Sequence, residues 1–312
     1  MTSRHLVDPE LLPLLDMWPT VTLTHENLAA MRARELPLPP ADTQGTELDS
    51  RRVPGPAGAP DIGLHIYRPV DCSSPLPCIY HIHGGGFVGG AAKDLEHIHR
   101  PLVRELGCVI VSVDYRLAPE TRFPGAIEDC YAGLAWTFAR THELAIDPRR
   151  IGVMGESAGG GLAAALALLA RDRGEHVLAF QHLIYPMIDD RTCVAQPSEF
   201  AGEFVWTADS NAFGWASLLG VDPGSEGISP YAAAARADDL AKLPPTFIST
   251  GSLDLFADED IAYARRLIQA GVPTELHVFP GGFHGYDIAP GARIADAARD
   301  ASRAALRRAM FG

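Results

Sequence analysis

The sequence predicts an α/β protein: a mainly parallel, twisted sheet with helices on both faces. Two observations carry this. Short apolar runs of strand length alternate with longer helical stretches over most of the 312 residues, the rhythm of a sheet covered on both sides. Glycine-rich turns also follow two of those runs, at Gly84-Gly85-Gly86 and at Gly155-Glu156-Ser157-Ala158-Gly159, where a chain leaves the carboxyl end of a strand. Length alone allows two domains, but α/β chains of this size form one, so a single domain over residues 1–312 is expected.

Strands are expected near Gly63–Tyr67, Pro77–His81, Val109–Val113, Ile151–Met154, Ala179–Tyr185, Thr246–Ser249 and Glu275–Phe279. Helices are expected between them, near Asp94–Leu106, Gly125–Ala139, Gly160–Arg171, Glu259–Ala270 and Pro290–Met310. Asp258 and Glu259 fall in the first turn of the fourth helix, where negative charge meets the positive end of the helix dipole. Arg303, Arg307 and Arg308 read as a solvated face of the last one. Two regions break the rhythm. One is about residues 1–45, ending in the linker-like Leu36-Pro37-Leu38-Pro39-Pro40. The other is about residues 189–228, which places Phe200, Phe204, Trp206, Phe213 and Trp215 between two core strands.

Ser157 lies between the apolar run Ile151–Met154 and the helical run Leu162–Ala170, so it occupies a sharp strand-to-helix turn. Glycines on either side let strand and helix approach closely enough to push the hydroxyl out into a cleft, which makes Gly155–Gly159 a GxSxG nucleophile elbow. Upstream, His83-Gly84-Gly85-Gly86-Phe87 closes the run Cys78–Ile82 and leaves backbone N–H groups bare. Acyl transfer turns a carbonyl oxygen into an anion, and each preorganised N–H donor aimed at it contributes about 3 kcal/mol. A phosphate loop would need GxxxxGK[ST] or GxGxxG opening a helix, whereas Phe87, Val88, Gly89 and Gly90 follow here.

A serine hydroxyl needs a base to take its proton and an acid to orient that base. In α/β-hydrolases the order along the chain is Ser, then Asp or Glu, then His. Asp254 follows the run Thr246–Thr250, and His284 follows Thr274–Phe279, so both loops leave the same edge of the sheet.

With these residues in place the chain resembles the bacterial hormone-sensitive-lipase family of carboxylesterases. The resemblance rests on five segments: His83–Gly86, Asp114-Tyr115-Arg116-Leu117-Ala118-Pro119-Glu120, Gly155–Gly159, Asp254-Leu255-Phe256-Ala257-Asp258-Glu259, and Phe283-His284-Gly285. It implies an α/β-hydrolase fold and a carboxylesterase acting on small-molecule esters of short- to medium-chain acids, with no cofactor. Ser157, Asp254 and His284 would form the catalytic triad, and the N–H groups of Gly85, Gly86 and Ala158 the oxyanion hole. The family commonly has Asp where Glu156 stands and Pro where Leu255 stands; neither change removes a catalytic group. In the family the two irregular regions fold together as a cap over the acyl pocket, which implies that Phe204 or Trp206 lies close to substrate. Plant gibberellin receptors share the fold without hydrolysing their ligand, typically having lost the histidine, which this chain keeps.

Other residues compete for attention. His81 with His83, and His97 with His99, form HxH pairs, but no third ligand at metal spacing, HExxH or CxxC accompanies them, so no metal is expected. Asp258 and Glu259 are rivals to Asp254 as the acid, and the helix-start reading disfavours them. Arg116 reads as part of a corner supporting the oxyanion loop rather than as a substrate clamp. The net charge of −13 opposes binding to nucleic acid or anionic membranes. Cys72, Cys78, Cys108, Cys130 and Cys193 lack metal-like spacing and read as small apolar residues of a reducing compartment. Asp8, Glu10 and Asp16 make the amino terminus unlike a signal peptide, so a cytoplasmic location is expected. An edge position for Thr274–Phe279 would offer a pairing surface for a homodimer.

Overall fold

A computed structural model describes the chain except for residues 1–2, 19, 35–38, 72–74 and 197, so Cys72 and part of the linker-like run lie outside the described residues. Eight strands form one sheet in the order β1-β2-β4-β3-β5-β6-β7-β8. They are β1 (Thr46–Val53), β2 (Ile62–Pro69), β3 (Leu76–Ile82), β4 (Val109–Asp114), β5 (Ile146–Glu156), β6 (Gln181–Ile184), β7 (Thr246–Gly251) and β8 (Thr274–Phe279). From β4 onward to β8 neighbours are parallel, while β2 runs antiparallel to both β1 and β4.

Every strand expected from the sequence is present, and β1 is an addition. Its sequence, Thr-Glu-Leu-Asp-Ser-Arg-Arg-Val, has no apolar run, because an edge strand has only one neighbour to pair with and tolerates charge. The helices are α1 (Leu12–Met17), α2 (Leu28–Arg32), α3 (Glu96–Leu106), α4 (Gly125–Ala139), α5 (Ala158–Arg173), α6 (Ala208–Leu219), α7 (Ala257–Gln269) and α8 (Arg293–Phe311). The expected helix from Asp94 begins instead as a tight 3₁₀ turn, Ala92–Leu95, leading into α3. Among the described residues no helix is long and apolar enough to cross a membrane.

Alternation along the central strands divides the core. Cys78, Tyr80 and Ile82 of β3 pack on one face with Val109, Val111 and Val113 of β4 and with α5, while Ile79 and Ile110 face the other side with α3 and α8. Ala158 to Ala170 of α5 is buried throughout, so alanine, glycine and leucine cover every side of that helix and no polar face remains. Cys78, Cys108, Cys130 and Cys193 are free.

The two irregular regions are bonded to each other. Leu23 N–H donates to Ser210 Oγ (3.1 Å), Val205 N–H donates to Thr20 Oγ1 (3.1 Å), and the rings of His25 and Phe213 meet edge to face at 4.9 Å. Gly202 N–H donates to Leu253 O (3.1 Å), which ties the second region to the loop that carries Asp254.

α7 holds a poorly compensated group. Asp260 is fully buried, and among the described residues its carboxyl makes no hydrogen bond of good geometry; burial, reinforced by Glu259 and Asp254, outweighs the opposing effect of the Thr250 side chain and pushes the carboxyl well up. A raised carboxyl contributes stability that is whole below the unfolded value of 3.8 and is lost as pH climbs toward the folded value. Asp260→Asn is therefore expected to stabilise the protein by about 1–3 kcal/mol at about pH 8 and to flatten the fall in stability between acid and alkaline pH. Thermal melts of both proteins across that range check this.

Candidate active site

β5 runs straight into the elbow. Ser157 has φ 56° and ψ −123°, and α5 begins at the next residue. A non-glycine residue in such a conformation costs on the order of 1–3 kcal/mol and persists only where its surroundings hold it. Here Ser157 N–H donates to Ile184 O (2.9 Å), and Ser157 O accepts from Gly161 N–H (3.0 Å) and Met187 N–H (2.9 Å). A Cβ at Gly159 would collide with the carbonyls of Ile82 and His83, so that glycine is what lets α5 sit against the His83–Gly86 loop.

The loops after β7 and β8 bring the other two predicted groups to this serine. His284 Nε2 lies 2.9 Å from Ser157 Oγ, and His284 Nδ1 lies 2.8 Å from Asp254 Oδ2. Asp254 is fully buried, and its Oδ1 accepts Phe256 N–H at 3.0 Å. The imidazole is walled by the rings of Tyr185, Phe256 and Trp206, at 4.9, 5.2 and 6.2 Å between centroids.

On the other side of Ser157, Gly85, Gly86 and Phe87 have φ of 120°, 61° and 65°. Gly85 O accepts from both Val88 N–H (3.1 Å) and Gly89 N–H (2.9 Å), curling the loop so that the amides of Gly85 and Gly86 stay free. Those two amides and that of Ala158 donate to no backbone acceptor among the described residues. His83 is buried, which pushes its imidazole down toward the neutral form; its Nδ1 bonds Gly84 O (2.8 Å) and its ring stacks on Tyr115 at 4.3 Å. His81 is bonded on both nitrogens, to Ser112 Oγ (2.9 Å) and Glu156 Oε2 (2.8 Å), and His99 meets it edge to face at 4.4 Å.

A family model described as alpha/beta hydrolase fold matches residues 79–288. The chain belongs to the α/β-hydrolase family. The carboxylesterase NlhH of Mycobacterium tuberculosis is 36% identical over 288 residues, covering 91% of this chain and 90% of the relative, and esterase LipI of the same organism is 34% identical over 291 residues, covering 91% and 89%. Among solved structures, a bacterial heroin esterase superposes with a TM-score of 0.90 at 38% identity over the whole of both chains. This α/β-hydrolase is of the hormone-sensitive-lipase type and is a carboxylic ester hydrolase.

The rival residues of this hydrolase are occupied elsewhere. Arg116 holds Asp129 through two bonds of 2.7 Å, a corner beside the oxyanion loop. Glu259 accepts from the N–H groups of Ile188 (2.8 Å) and Asp189 (3.2 Å) and from Thr192, and its burial raises its carboxyl well above the usual range. Trp206 covers Gly86 so closely that a Cβ there would strike the indole. Phe204 packs edge to face on Phe283, the residue before His284, at 6.1 Å between centroids. Tyr185 and Phe256 escaped the sequence reading. Tyr185 stands just past the carboxyl end of β6, where α/β folds place ligand-facing residues, and its hydroxyl donates to Asp287 Oδ1 at 2.8 Å.

Proposed function

We propose that this hydrolase cleaves short- to medium-chain acyl esters by a Ser157–His284–Asp254 triad through an acyl-enzyme. The observation that carries the reading is the continuous line of bonds from Asp254 through His284 to Ser157, with the free amides of Gly85, Gly86 and Ala158 beside it. Asp254 keeps the proton on His284 Nδ1, so Nε2 accepts the Ser157 proton as Oγ attacks the ester carbonyl. The three amides stabilise the tetrahedral oxyanion. His284 then gives the proton to the leaving alcohol, and a water activated at the same nitrogen hydrolyses the acyl-enzyme.

Residues 1–312 act as one catalytic domain in this reading, with residues about 1–45 and about 189–228 as a cap that excludes water. Trp206, seated on Gly86, bounds the acyl side, and Phe204, packed on Phe283, lies close to substrate beside it. Rates on p-nitrophenyl acetate and butyrate should exceed those on decanoate and palmitate, and Trp206→Ala should shift the optimum toward longer chains. A palmitate optimum in the parent protein would mark a lipase, and an anilide cleaved faster than the matching ester would mark an amidase. A fluorophosphonate should label Ser157 and no other residue, read by peptide mapping. β8 lies at the sheet edge, and a homodimer pairing two copies of it would double the monomer mass in light scattering.

A further inference from the structure

We infer that Arg32, on the amino-terminal segment, is a positioning residue that sets the direction of the Gly86 amide, and this rests on the oxyanion role proposed above. Arg32 ends α2, and its side chain is 27% exposed. Its guanidinium is spent on four bonds: Nε to Val88 O (2.6 Å), Nη2 to Ala118 O (2.6 Å), and Nη1 and Nη2 to the two oxygens of Glu120 (2.7 and 2.9 Å). Ala118 N–H in turn donates to Phe87 O at 3.0 Å.

Peptide planarity carries this hold to the site. The N–H of Gly86 shares one rigid plane with Gly85 C=O, and that carbonyl is gripped by the N–H groups of Val88 and Gly89. Those N–H groups belong to the planes whose carbonyls are Phe87 O and Val88 O. Ala118 holds the first, and Arg32 holds the second while also bonding Ala118's own carbonyl. Gly85, Gly86 and Phe87 all have positive φ, and Phe87 is not a glycine, so this loop relaxes unless it is fixed from outside. Arg32 provides that fixation in a planar fork that an ammonium group cannot reproduce. The oxyanion hole is therefore complete only while α2 is docked.

The test uses the full chain, with p-nitrophenyl acetate as substrate and a trifluoromethyl ketone as the probe that forms an oxyanion on Ser157. Arg32→Ala should lower kcat about 10- to 100-fold with KM little changed, and weaken the ketone by the same factor as kcat/KM, less than the loss of a whole donor. Arg32→Lys should fall between, and millimolar guanidinium should restore part of the Arg32→Ala rate without raising the parent's. Arg149→Ala, whose side chain is 87% exposed, is the control and should leave all these unchanged. Unchanged kcat in Arg32→Ala, or a loss that follows the melting temperature with no guanidinium rescue and an unshifted ketone affinity, overturns the inference. Failure of the triad reading looks different: the parent enzyme would then not bind the ketone.

Discussion

Ser157→Ala is expected to lower turnover of p-nitrophenyl butyrate by about 10⁴- to 10⁶-fold while leaving the protein folded. The size follows from the loss of the attacking atom, because His284 and the amides of Gly85, Gly86 and Ala158 then have only water to activate. The fold survives because, among the described residues, Ser157 Oγ bonds only to His284, whereas the elbow is held by backbone bonds to Ile184, Gly161 and Met187. Alanine retains a Cβ at φ 56°, so the backbone strain stays. Ser157→Gly should be equally inactive and more stable than Ser157→Ala by about 1–2 kcal/mol, since it removes the cost of the left-handed conformation. Steady-state rates and thermal melts of the two variants check both statements. Half the parental rate in Ser157→Ala would assign the nucleophile elsewhere.

The sequence was most legible where one short segment both makes a strand and carries chemistry. Ile151–Met154 and the following glycines define β5 and its elbow because a parallel strand buried on both faces must be apolar, and the tight turn must be built from residues without side chains. Asp254 and His284 were legible for a related reason: parallel strands deliver the loops at their carboxyl ends to one edge, so the loops after β7 and β8 had to emerge beside the elbow after β5. β1 was hidden because its pattern of charge is that of an exposed ribbon, and what stabilises it is pairing to β2 together with the Arg100 bonds to Thr46, neither of which an apolar run announces. The region about 189–228 was visible as a break in rhythm, but α6 within it has little amphipathic pattern, being wedged between the oxyanion loop and the rest of that region. Glu259 stands in the first turn of α7 as its position after Asp254 suggested, and beyond that it is a buried acceptor for the N–H groups of Ile188 and Asp189 and for Thr192, which helix-start patterning does not reveal. The role inferred for Arg32 left little sequence signal, since Val88 and Ala118 contribute only carbonyl oxygens, which every residue has, and its one side-chain partner, Glu120, lies 88 residues away.

Asp254→Asn is expected to cost about 10⁴-fold in kcat with little change in KM, an effect of the size known when a buried triad carboxylate is replaced by its amide. The local bonds decide which way the new amide turns. Phe256 N–H needs an acceptor at the position of Oδ1, so the asparagine carbonyl stays there and its NH₂ takes the place of Oδ2, facing His284 Nδ1. Nδ1 must then accept, the imidazole proton moves to Nε2, and the nitrogen opposite Ser157 Oγ can no longer take a proton. Substrate does not reach Asp254, which is fully buried, so binding is spared. Removing its charge also relieves one of the groups that raise the Asp260 carboxyl, so the melting temperature should hold or rise. Asp258→Asn is the matching control, because Asp258 lies exposed in the first turn of α7 and should keep nearly the full rate. A loss in Asp258→Asn as large as in Asp254→Asn would transfer the acid role to that helix start.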